Sequence, residues 1–143
     1  MNGPGAAEAT AALIKLVETC RDGELDFQAA AAAIEDPTLR QLCVSYADQR
    51  AAFRHELLEE LADLEGGAPE GAADDGRLPA AEGGSVTLAE LARRDAAAES
   101  AYRDVLDRGL PGQAINTVER QHQQMVDALK HLNLLERALP AVA

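Results

Sequence analysis

The sequence predicts an all-α protein: four helices in a bundle, folded as two hairpins joined by a long crossover connection. Three observations carry this. The chain has 143 residues, enough for one domain with a sizeable core. Its apolar content is dominated by alanine, with only two Phe, two Tyr and no Trp, a composition that suits helix packing better than a β-sandwich. Finally, four stretches carry apolar residues spaced alternately three and four apart, with two tight corners and one long irregular segment between them.

Residues 1–7 read as a flexible N-terminal tail, and the single domain is expected over 8–139. The first helix is expected over about 8–34, with Leu13, Val17, Cys20, Glu24, Phe27, Ala31 and Ile34 facing inward. Gly23 interrupts it at a propensity cost of about 1 kcal/mol. Glu35-Asp36-Pro37 makes a corner in which Asp36 can cap the next helix and Pro37 can occupy its first position.

The second helix, 37–65, carries Leu39, Leu42 or Cys43, Tyr46, Arg50, Phe53, Leu57, Leu61 and Leu64. Gly66-Gly67 stops it. Residues 66–86 are rich in Gly, Ala, Pro and acids and lack periodicity, so they read as a flexible linker, long for a compact domain. Thr87 and Glu90 form a capping-box pattern that opens a third helix over 88–108, with Leu88, Leu91, Asp95, Glu99, Tyr102 and Leu106 inward.

Gly109-Leu-Pro-Gly112 is the second corner. The last helix, 113–139, is expected to point Ile115, Val118, His122, Met125 or Val126, Leu129 and Leu132 to the core. Two hairpins and one long connection make the ferritin-like arrangement, although a linker folding back locally would give a plain up-down-up-down bundle.

Counting from the corners brings Glu24, Gln49, Arg50, Glu99, Glu119 and His122 to one depth, as a buried polar layer. Di-iron bundles of this architecture need a Glu from each of two helices and a Glu-x-x-His from each of the other two. Here only the last helix offers the full pair, as Glu119 and His122, and the second helix fails because Ala52 follows Gln49 by three. A partial metal site would comprise Glu24, Gln49, Glu99, Glu119 and His122 and would take iron, manganese or zinc. Arg50 instead favours a metal-free network in which its guanidinium bonds Glu24, Glu99 or Glu119. The metal-free reading is preferred, with no cofactor expected.

Other polar residues suggest little chemistry. Cys20 and Cys43 read as core thiols at different levels, without a disulfide. His131 reads as a surface or interface histidine, and Asp95 either extends the polar layer or is a surface acid. Tyr46 and Tyr102 should pack by their rings and bond through their hydroxyls. No nucleophile has a histidine at a matching depth, and no catalytic residue is assigned.

The formal net charge of −12, from 25 acids against 13 Lys and Arg, gives no footing for nucleic acid. No stretch approaches the roughly 18 apolar residues of a membrane span, and the N-terminus lacks a secretory signal, so the chain is expected in the cytoplasm. A homo-oligomer, by default a dimer, is the expected assembly, with no protein partner identified.

The segment "LIKLVETCRDGELDFQAAAAAIEDPTLRQL" resembles a family of small bacterial four-helix proteins of the ferritin-like class, defined as a domain of unknown function. The run Leu13 to Glu24, Phe27 and the Asp36-Pro37 corner resemble its first hairpin. Gln49-Arg50-x-x-Phe53-x-x-Glu56-Leu57, Ala101-Tyr102 and Val118-Glu119-Arg120-Gln121 resemble its later helices. The chain departs from that pattern with Asp95 in place of Glu, Ala92, and a shorter linker. The resemblance implies a fold and carries no activity. From all of this a non-enzymatic oligomerising or binding bundle is expected. The alternative is a metal-binding protein or oxidoreductase.

Overall fold

The computed structural model describes residues 5–65 and 87–138, and these form four helices: α1 (Ala6–Ala33), α2 (Pro37–Glu65), α3 (Leu88–Arg108) and α4 (Ala114–Ala138). The expected linker, most of the N-terminal tail and the last residue of the fourth expected helix, Leu139, lie outside the described residues.

Local chemistry sets the helix ends. Asp36 Oδ1 accepts the backbone N–H groups of Thr38 and Leu39 at 2.9 and 3.1 Å, which caps α2 behind Pro37. Arg40 folds back over the same corner and donates to the carbonyls of Ile34 and Glu35, satisfying acceptors left open where α1 stops. Thr87 Oγ1 accepts the Glu90 N–H at 3.1 Å while the Glu90 carboxylate accepts from the Thr87 N–H, a complete capping box. Gly109 closes α3 at φ +88° and Gly112 turns the chain at φ +60°, conformations that residues with a Cβ rarely adopt.

α1 packs most extensively on α2 and α3 on α4, with further contacts between α1 and α3 and between α2 and α4. Side-chain pairs give the directions. Cys20 meets Tyr102 and Asp26 meets Arg94, so α1 and α3 are antiparallel. Tyr46 meets His131 and Glu60 meets Thr117, so α2 and α4 are antiparallel too.

The apolar core falls into two clusters. One gathers Leu13, Leu16, Phe53, Leu57, Tyr102, Val118 and Met125. The other gathers Phe27, Ala30, Cys43, Ala47, Leu91 and Leu132. Glu24, Arg50 and Asp95, all buried, fall along their helices between the residues of the two clusters, and buried Arg54 follows Phe53 of the first.

The inward stripes of the first two helices match the expected positions except that Ile34, Tyr46 and Leu64 are only half-buried and Cys43 rather than Leu42 turns inward. On α3 and α4 the stripe is displaced by one residue in places. Ala98, Val105, Gln121 and Ala128 are buried, whereas Glu99, Leu106, His122 and Leu129 are half-buried. Neighbouring helix positions differ by about 100° around the axis, so a one-residue change moves a side chain from the core to its margin. No helix of the described residues is long and apolar enough to cross a membrane.

Candidate functional site

The bundle centre is built around two arginines of α2. Arg50 is fully buried and donates from Nη1 to Asp95 Oδ1 at 2.5 Å and from Nη2 to Oδ2 at 3.4 Å. Its Nε donates to Gln49 Oε1 at 3.1 Å. The guanidinium carbon also stands 5.2 Å from the Phe27 ring centroid and 6.0 Å from that of Phe53, within cation–π range. Arg54, one turn on, pairs with Glu24 at 2.7 Å, and both side chains are buried. Burying four charges is tolerable because each cation has a carboxylate against it.

A hydrogen-bonded chain crosses the bundle beside these pairs and draws one side chain or carbonyl from every helix. Gln121 Nε2 donates to the Phe53 carbonyl at 3.2 Å and to Glu56 Oε1 at 2.9 Å, both acceptor-only groups when Glu56 is ionised. That orients the amide, so Gln121 Oε1 accepts from the Tyr102 hydroxyl at 2.7 Å. The Tyr102 proton is thereby committed, and the 3.0 Å contact from Cys20 Sγ to Tyr102 Oη has the thiol as donor. Burial pushes the Cys20 thiol up to about 11, and burial also raises Tyr102 well above its ordinary range. Cys20 is therefore a fixed S–H donor rather than a nucleophile.

Other expected site residues are placed at the margin. His122 Nε2 lies 2.8 Å from Glu99 Oε2, and Glu99 Oε1 accepts from Arg103 at 3.0 Å; both His122 and Glu99 are half-buried. Glu119 is exposed on α4, so it does not share the buried layer with its i+3 neighbour His122. His131 is exposed and bonds Tyr46 Oη through Nδ1 at 3.1 Å.

The layer therefore includes Glu24, Gln49 and Arg50, with Glu99 and His122 forming a separate pair towards the surface. Asp95, Arg54 and Gln121 complete the buried polar set. Asp95 lay on the inward stripe and so was legible. Arg54 sits one position past the stripe residue Phe53 and Gln121 one position before His122, and only the presence of polar residues beside those two could have suggested them.

The donor set does not suit a metal pair. Glu24 and Asp95 already face guanidinium groups, Glu119 points to solvent, and Glu99 is shared between His122 and Arg103. Among the described residues no group of three or more His, Cys, Asp and Glu side chains is arranged to hold a metal ion. Permanent cations at the centre would also repel one.

A groove of about 530 Å³ runs between α1 and α3, bordered by Lys15, Thr19 and Asp22 on one side and by Arg94 and Ala97 on the other. Gly23 and Ala98 also line it. Asp26, in the same groove, is held by Arg94 at 2.8 Å, yet its partial burial still raises its carboxyl above the usual range.

Residues 8–78 match a domain of unknown function (DUF2383), to which the first half of the chain is thus similar. No curated protein matches the chain.

Proposed function

We propose that the chain is a non-enzymatic, ferritin-like helical bundle that works by association, with another copy of itself or with a protein partner. Its buried polar layer is on this reading a structural lock and not a reaction centre. The observation that carries it is that both carboxylates buried between the two core clusters, Glu24 and Asp95, face arginines from the same helix. Oxygen ligands already neutralised by guanidinium are poor sites for iron, manganese or zinc. The fully buried thiol, kept protonated by its burial, supplies no nucleophile.

The ferritin-like assignment is supported by direction. α2 is antiparallel to α4 and α1 to α3 while α1 and α2 form a hairpin, so α2 and α3 run the same way. The end of α2 and the start of α3 then lie at opposite ends of the bundle, as the ferritin-like arrangement requires. Two free thiols and an acidic surface fit the cytoplasm, which we take as its place.

The test is elemental analysis of untagged protein purified without chelator from metal-replete medium, joined to sedimentation velocity across concentration. Trace metal and a reversible oligomer are the expected results. Near-stoichiometric iron, manganese or zinc that is lost in Glu99→Ala and His122→Ala would overturn the reading.

A further inference from the structure

We propose that the groove between α1 and α3 is the face on which a second copy of the chain docks, through a two-fold axis crossing α1 near Thr19. This rests on the association reading above and names the surface that would serve it.

The argument begins with charge. A chain of formal charge −12 repels its own copies, so self-association needs a face whose local charge balances. In the groove Asp95 is matched by Arg50 and Asp26 by Arg94. Two charges then remain on the α1 rim, Lys15 and Asp22, both exposed and neither in an ion pair among the described residues. They are of opposite sign and sit about one turn to either side of Thr19. A strongly acidic or basic partner would gain little from such a rim, whereas a second copy turned about Thr19 gains twice.

Symmetry makes that specific. In an isologous contact residue i meets residue j and j meets i. An axis crossing α1 midway between residues 18 and 19 sets one protomer's Lys15 opposite its partner's Asp22, and the reciprocal pair follows at no further cost in geometry. The opposite wall permits close approach, since Ala97 and Ala101 present only methyl groups there. Gly23 lines the groove on the α1 side. A Cβ at that position would make only ordinary contact with Arg50, at 3.5 Å, so internal packing does not require the glycine.

Sedimentation velocity of the full chain, Lys15→Asp, Asp22→Lys and the double exchange tests this. Each single reversal should weaken the dimer about fivefold or more by placing like charges together twice, and the double exchange should restore it. Ala101→Arg, which fills the groove, should shift the chain to monomer while leaving its helical circular dichroism unchanged. If the wild type dimerises and all four variants dimerise equally well, the groove assignment is overturned and the association reading stands. A wild type that stays monomeric, with no partner-dependent change in mass, overturns both.

Discussion

Arg50 on α2 reaches across the bundle to Asp95 on α3, and the pair is almost wholly shielded from solvent, with side chains 1% and 3% exposed. These two helices are not among the closely packed pairs of the bundle, so the guanidinium supplies a polar link between the two hairpins. Removing one partner leaves an uncompensated buried charge. Arg50→Met should therefore cost about 3–5 kcal/mol, and Asp95→Leu a similar amount. The double variant Arg50→Met/Asp95→Leu should recover most of the loss, because an apolar pair needs no compensation. Urea denaturation of the three variants reads this directly. Additive losses in the double variant would mean that the pair does not act as a unit.

Gln121 should prove more important than its uncharged side chain suggests. It is fully buried and joins Tyr102, the Phe53 carbonyl and Glu56. Gln121→Leu leaves the Tyr102 hydroxyl without its acceptor and Glu56 without its amide donor, while the Phe53 carbonyl keeps its bond within α2, and should cost about 1–3 kcal/mol. Tyr102→Phe removes fewer partners and should cost less. Thermal unfolding of the two variants side by side gives the ranking, and equal stability would argue against a connected chain.

Cys20 predicts a loss of stability in alkali. Its folded value of about 11 exceeds the ordinary 9.0, so between those two values the unfolded chain releases a proton that the folded chain keeps. Stability is then fully present below about pH 9 and falls as pH rises towards 11, by up to roughly 2–3 kcal/mol for a two-unit difference. Tyr102 and Cys43, also raised by burial, act in the same direction. Cys20→Ser keeps a donor for Tyr102 and has no thiol to ionise, so its denaturation midpoint should fall less steeply over this range. An identical slope in wild type and variant would remove Cys20 as a source.

Gly23→Ala should stabilise the monomer. The added Cβ would lie 3.5 Å from Arg50 Cγ and Nη1, an ordinary contact, while α1 gains roughly 0.5–1 kcal/mol of helix propensity. Denaturation at a protein concentration low enough to exclude association is the appropriate measurement. A net loss would show that Arg50 cannot yield at that contact.

The four helices, the start of α2 and both ends of α3 followed from local chemistry alone. Alternating three- and four-residue apolar spacing located all four helices, and Asp36-Pro37, Thr87-Glu90 and Gly109 located those ends because capping groups act within a few residues of the backbone they satisfy. The polar centre was legible as far as Glu24, Arg50 and the stripe position of Asp95.

The choice between adjacent residues was made by tertiary structure. Asp95 rather than Glu99 takes Arg50, Gln121 rather than His122 enters the core, Arg54 joins Glu24, and Glu119 turns outward. Periodicity gives the direction of a helix face, but neighbours on it stand about 100° apart, and which of them is buried depends on how the other three helices are turned against it. Arginine sharpened that outcome. A long side chain places its charge several bonds from its own Cα, so its carboxylate partner is found by packing across the bundle and not by depth along the chain.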